Sequence, residues 1–155
     1  MGMYTQLILN VRLKPNRWLY NVLNLMIEND VDDQSYKDIE IKAFVKYGRL
    51  GNHSLFKTNR WKWMLRGDSA YFEEWAEPKV IYNKESDELE FSCCFNIKNY
   101  ENEIQLFLDF LDPFILDRGQ IGTYRYEEWE ESITVIKDDD SVKIGDWESS
   151  NEKEN

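Results

Sequence analysis

The sequence predicts an α+β fold, a single domain in which an antiparallel sheet carries two amphipathic helices packed on one face. Three observations predict it. Two stretches place apolar residues at i, i+3, i+4 and i+7, the spacing of a helix with one apolar stripe. Several others alternate apolar and polar residues with a period of two, the mark of strands wet on one side. The order is strand, helix, strands, helix, strands, with no repeat and no interdomain linker, which suits two packed layers. At 155 residues, 42% apolar and 15% aromatic, the chain is long enough to bury a core without staples.

Leu7, Leu9, Val11 and Leu13 alternate with Ile8, Asn10, Arg12 and Lys14, a half-buried strand that Pro15 ends. Asn16 caps a helix from about Asn16 to Glu28, with Leu19, Val22, Leu23 and Met26 as its stripe. The acidic run from Asn29 to Asp38 reads as a loop, and Ile39 to Tyr47 alternates as a strand. Gly48 and Gly51-Asn52 break the chain. Trp61, Trp63 and Leu65, alternating with Lys62, Met64 and Arg66, then predict a strand, and Gly67-Asp68 turns it toward Ser69 to Trp75 as a hairpin partner. After Pro78, Val80 to Asn83 and Glu88 to Ile97 form strands around the turn Lys84 to Asp87, with Leu89, Phe91, Cys93, Phe95 and Ile97 facing the core. Asn99 caps a second helix striped by Ile104, Phe107, Leu108, Leu111 and Ile115, which Pro113 kinks or ends. Ile121 to Glu127 and Ser132 to Lys137 make a hairpin, and Val142 to Ile144 an edge strand. Residues 1–145 make up the domain; 146–155 form a polar tail expected to fray.

Composition narrows the function. No apolar run approaches the roughly 20 residues of a membrane span. Met1 to Lys14 lacks the layout of a secretory signal, and Gln6 stands where a myristoylation motif needs Ser or Thr, so the expectation is a soluble cytoplasmic protein. The two cysteines, Cys93 and Cys94, are adjacent and point to opposite faces of a strand, which predicts reduced thiols. No CxxC and no spaced Cys/His set is present, so neither a metal nor a cofactor is expected. A net charge of −11 repels nucleic acid at long range and favours a basic protein partner.

That charge is unevenly placed. Of 19 Lys and Arg, seven fall between Ile41 and Arg66, a window without Asp or Glu; 12 remain against all 30 acids. Within it, Arg49, Lys57, Arg60, Trp61, Lys62, Trp63 and Arg66 are candidates for a site where rings stack on a base and cations hold phosphate. The plainer reading puts the tryptophans in the core and the cations in water. Late in the chain, Glu127, Glu128, Glu130, Glu131, Asp138, Asp139 and Asp140 flank Trp129, with Asp146 and Glu148 beyond. Carboxylates so spaced imitate DNA phosphates and suit a protein that normally grips nucleic acid; a solvated, aggregation-blocking edge is the plainer reading. Trp75, Trp129 and Trp147 among acids are candidate anchors for a basic partner. His53, the one histidine, sits in a loop; no GxSxG, HExxH, P-loop or GxGxxG occurs; and the pairs Glu73-Glu74 and Asp138-Asp139 diverge on strands, so no catalytic residue is assigned and a non-enzymatic protein is expected.

Met1-Gly2-Met3-Tyr4-Thr5, the segment Phe56 to Arg66 with its Arg60-Trp61-Lys62-Trp63-Met64-Leu65, Asp68 to Phe72 and Ile97 to Ile104 together resemble a group of small phage and prophage proteins. The resemblance spans much of the chain in patches and carries over no catalytic residue. It implies a phage accessory protein, made in a bacterial host cell, acting on host machinery such as defence systems. The acidic loop Asp30 to Asp38 and the acidic tail depart from that group. The expectation is a protein that binds and inhibits a basic or nucleic-acid-binding host protein through its acidic, aromatic surface. A nucleotide or small-molecule binder that sequesters a defence signal through 49–66 stands as the alternative, and a plain homodimer as a third.

Overall fold

The computed structural model describes residues 3–28, 52–69 and 71–145. The expected acidic loop, the strand from Ile39 to Tyr47 and the polar tail lie outside them, as do Arg49, Asp146, Trp147 and Glu148.

The fold is α+β. Strands β1 (Thr5–Leu13), β2 (Ala76–Asn83), β3 (Glu88–Ile97), β4 (Gly119–Tyr126), β5 (Ile133–Lys137) and β6 (Val142–Ile144) form one antiparallel sheet in the order β2-β3-β1-β4-β5-β6. The apolar positions of β1 and β3 share one face because their register opposes Leu7 to Phe95, Leu9 to Cys93 and Val11 to Phe91. Helices α1 (Arg17–Glu28) and α2 (Glu103–Leu111) cover that face. Asn16 Oδ1 accepts from the Leu19 amide at 2.9 Å, the expected N-terminal cap, and Trp18, Leu19, Val22, Leu23 and Met26 are buried. For α2, Asn99 Oδ1 accepts from the Ile104 amide at 2.9 Å, Asp112-Pro113 closes the helix in a short 3₁₀ turn, and Phe107 meets Phe91 edge-on at 5.9 Å.

Residues 61–66 are a correction. They form no strand but a turn followed by a 3₁₀ turn at Met64–Arg66. Trp61, Met64 and Leu65 are all buried, which is helical spacing. Positions 61 and 65 fit both periods, and burial of Met64 decides between them. A preceding 3₁₀ turn, Ser54–Lys57, is capped by His53, whose Nδ1 accepts from the Leu55 amide at 3.0 Å. Phe56 then packs edge-on against Trp61 at 4.9 Å and Phe110 at 5.1 Å, joining this segment to the helical layer.

Ser69 to Trp75 is the second correction, since no hairpin partner forms there. The Gly67 carbonyl accepts from the Asn96 amide at 3.0 Å at the end of β3. A Cβ at Gly67 would stand 2.5 Å from the Ile97 side chain, so only glycine lets the chain pass so close. Residues 71–75 then strap the opposite face of the sheet, where Phe72 is buried and the Glu74 carbonyl accepts from Asn96 Nδ2 at 3.2 Å. The chain enters β2 at Ala76, four residues before the expected Val80. Pro78 sits at the bulge between Ala76 and Lys79, which an edge strand tolerates.

Candidate functional site

The strap, the β4–β5 turn and the ends of three central strands converge on one end of the sheet. Thr5 of β1 opposes Ile97 on one side and Tyr126 on the other, so Tyr4, Lys98 and Glu127 emerge together. The Glu127 amide donates to the Tyr4 carbonyl at 3.0 Å, and the Glu127 carboxylate accepts from the Tyr4 amide. Lys98 Nζ stands 5.6 Å over the Tyr4 ring. Arg60 donates to the Lys98 carbonyl at 2.9 Å and lies 5.3 Å from the Tyr100 ring centre. Tyr100 is 60% exposed. Trp129 packs against Tyr124 at 5.8 Å and Tyr126 at 6.1 Å, and its carbonyl accepts from Arg125 Nε at 3.0 Å. Partial desolvation, then the Glu128 and Glu127 carboxylates, hold the Tyr126 phenol above its usual range.

Around the corner, on the strapped face, lies a groove of about 500 Å³. Gln6 and Ile8 of β1, Thr123 and Arg125 of β4, Glu74 of the strap, and Glu130 and Glu131 of the turn line it. Gln6 Nε2 donates to the Glu74 carboxylate at 3.2 Å, and the Arg125 guanidinium lies 5.5 Å from the Phe72 ring. Three glutamates and one arginine are among its lining residues. Glu128, Glu130 and Glu131 have no ion-pair partner among the described residues.

The acidic candidates therefore divide. Glu127, Glu128, Trp129, Glu130 and Glu131 belong to this end of the sheet. Asp138, Asp139 and Asp140 occupy the β5–β6 turn at the opposite end of β5, roughly 17 Å away at the rise of an extended strand. There Asp138 accepts from the amides of Asp140 at 2.8 Å and Ser141 at 2.9 Å and pairs with Lys143 at 2.9 Å, while Asp139 pairs with Arg118 at 3.2 Å. That trio builds a turn.

The basic candidates disperse too. Trp61 is 2% exposed, so its ring is part of the core, and Lys62 Nζ lies 5.7 Å from it. Arg66 binds the Ile27 carbonyl and Glu77, both at 2.9 Å, whereas Arg60 serves Lys98 and Tyr100. Lys57 is exposed and Trp63 half-buried. His53 uses both ring nitrogens, Nδ1 on the Leu55 amide and Nε2 with Asp109 at 2.7 Å. Cys93 and Cys94 are free and buried, on opposite faces as expected; burial pushes both thiols up.

Sequence reasoning missed Tyr4, Gln6, Tyr100, Thr123 and Arg125. Gln6, the polar residue directly before the apolar run Leu7-Ile8-Leu9, was the available signal.

No protein-family model, curated protein or solved structure matches the chain. Among the described residues no helix is long and apolar enough to cross a membrane, and no three His, Cys, Asp or Glu side chains are placed to hold a metal ion.

Proposed function

We propose that this protein is a non-enzymatic accessory protein of the phage kind that binds, and thereby inhibits, a basic bacterial host protein. The contact surface is the acidic, aromatic end of the sheet around Glu128, Trp129, Glu130 and Glu131, extended by Trp75 and Tyr100. A nucleic-acid-binding defence factor is the target class that such carboxylates suit, because its own site is built for phosphates. The observation that carries this reading is the group of unpaired carboxylates beside tryptophan and tyrosine rings at one sheet end. Tryptophan and tyrosine are the residues in which binding hot spots are enriched, and Trp75 and Tyr100 are exposed. Burial of the Trp61 ring withdraws the stacking surface that the nucleotide-binding alternative needs.

The test is capture from a bacterial host lysate with tagged protein. Glu128→Lys/Glu130→Lys/Glu131→Lys should abolish recovery of a stoichiometric basic protein, and Arg60→Ala/Arg66→Ala should leave it. The inverse pattern, or release of a nucleotide with no protein, would sink the proposal.

A further inference from the structure

We infer that two copies of this protein join through β2, pairing edge to edge about a two-fold axis at Ile81 to make one continuous antiparallel sheet. β2 is the outer strand on its side of the sheet, so alternate N–H and C=O groups along it face away from β3. Its centre is apolar, where solvent-facing edges ordinarily carry charge. Ile81 is 56% exposed on the strapped face, and Tyr82 is 47% exposed on the helical face. Among the described residues, Ile81 is the one aliphatic side chain in the set of exposed large apolar residues. Asn83 pairs with Glu88 at the end of the sheet away from Thr5, Ile97 and Tyr126, so such a dimer leaves the host-binding end free.

Local structure fixes how far the copies pair and in what register. Pro78 donates no N–H and the bulge between Ala76 and Lys79 bends the strand, so pairing stops at Lys79. The turn that begins at Lys84 stops it at the other end. Ile81 is the middle of the regular stretch between them, Lys79 to Asn83, and a two-fold axis there pairs every residue of it. Across the axis Ile81 meets its own copy, Val80 meets Tyr82, and Lys79 meets Asn83. No acid opposes an acid in these pairs, although each chain carries a net charge of −11. The ends are complementary instead. Glu90, opposite Ile81 on β3, holds its carboxylate 3.3 Å from Asn83 Nδ2. Lys79 of one copy therefore arrives at Asn83 and Glu90 of the other, twice over. Neither Lys79 nor Glu90 has an ion-pair partner among the described residues. This match of apolar centre to apolar centre and cation to acid is what selects a second copy over a foreign strand. The paired strip is about 17 Å long at the rise of an extended strand, a small contact, so the dimer is reversible.

The experiment is sedimentation equilibrium of the full chain over a concentration series, with circular dichroism to verify that each variant keeps the parental fold. The parent should pass reversibly from monomer to dimer. Ile81→Lys and Ile81→Glu each set like charges against one another on the axis, and each should weaken dimerisation by about tenfold or more, a change of about 1.4 kcal/mol. Mixed in equal amounts, these two variants should pair with each other and recover to within about threefold of the parent. Lys79→Glu alone should weaken the dimer, and Lys79→Glu/Glu90→Lys should restore it, because the reversed charges meet again across the interface. A parent that stays monomeric up to about 1 mM would overturn the inference. Dimerisation that Ile81→Lys leaves unchanged would do the same, by moving the interface away from β2. Two monomeric variants that fail to pair on mixing would remove the axis from Ile81. Capture of a host protein by a monomeric parent, lost in Ile81→Lys, would give this edge to a foreign strand and refute the second copy.

Discussion

Trp61→Ala removes one of the largest fully buried side chains and also decides what the Arg60-Trp61-Lys62-Trp63 run is for. The ring is 2% exposed and meets Phe56 edge-on at 4.9 Å, with Met64 and Leu65 buried beside it in sequence. A tryptophan so enclosed costs about 3–5 kcal/mol when cut to alanine, because its apolar area is lost and the rigid neighbours cannot close the hole. That is a large share of the roughly 5–15 kcal/mol that holds a domain together. At about 2–4 °C per kcal/mol for a chain of this length, the midpoint should fall by roughly 6–20 °C. Urea unfolding followed by far-ultraviolet circular dichroism measures the change at constant m-value, with Lys57→Ala as an exposed control expected within about 0.5 kcal/mol of the parent. A loss under about 1 kcal/mol for Trp61→Ala would mean that the ring is not core. The stacking reading of the basic segment would then return.

Three further outcomes are expected. Lys137, 6% exposed, is paired with Asp112, so Asp112→Ala should cost about 3–5 kcal/mol by stranding the ammonium, while Lys137→Met/Asp112→Leu should come close to neutral; equal losses in the two would refute this. The amide of Ser141 first, then Lys143 and the amide of Asp140, hold the Asp138 carboxyl well below its usual range. Its folded value lies under the unfolded value of about 3.9, so its contribution is present above about pH 4 and fades as pH falls toward the folded value. Asp138→Asn should therefore flatten the stability profile below pH 4, and superimposable acid limbs would refute the assignment. Burial first, then Cys94 acting on Cys93 and Glu74 acting on Cys94, raises the two thiols, so a thiol reagent at mildly alkaline pH should label neither quickly until denaturant is added; rapid native labelling of Cys93 would contradict the fold of β3.

Where one period governed, the elements were legible. β3 spans Glu88–Ile97 and β6 Val142–Ile144, as the alternation and turn residues specify, and α1 begins one residue after its cap. The segment from Trp61 to Trp75 was not, because residues 61 and 65 satisfy two periods and the choice is made by tertiary burial. β2 began early because an edge position excuses Pro78, and edge status is a property of the assembled sheet. The groove was hidden for a related reason. Gln6, Glu74 and the hairpin pair Arg125 and Glu130 come from three separate stretches, and only the register of β1 with β4 and the path of the strap bring them together. The acidic residues were easy to count, but a five-residue strand puts the turn of Asp138 at the far end of the sheet from Glu130.

The place of β1 in the sheet bears on how the protein comes to exist on the ribosome. The first strand synthesised is central, yet both neighbours are late: β3 brings Phe95 to Leu7, and β4 brings Tyr126 to Thr5. Until the polypeptide has been extended through Ile97, Leu7, Leu9, Val11 and Leu13 lack a cross-strand partner, and Leu7 and Leu9 gain their second only with β4. Closing such distant pairings delays the reward for lost chain freedom, so maturation should be slow for the chain's size and exposed to self-association while it waits. A charge-rich, strongly acidic polypeptide is well suited to that interval, since nascent copies repel one another before the sheet closes.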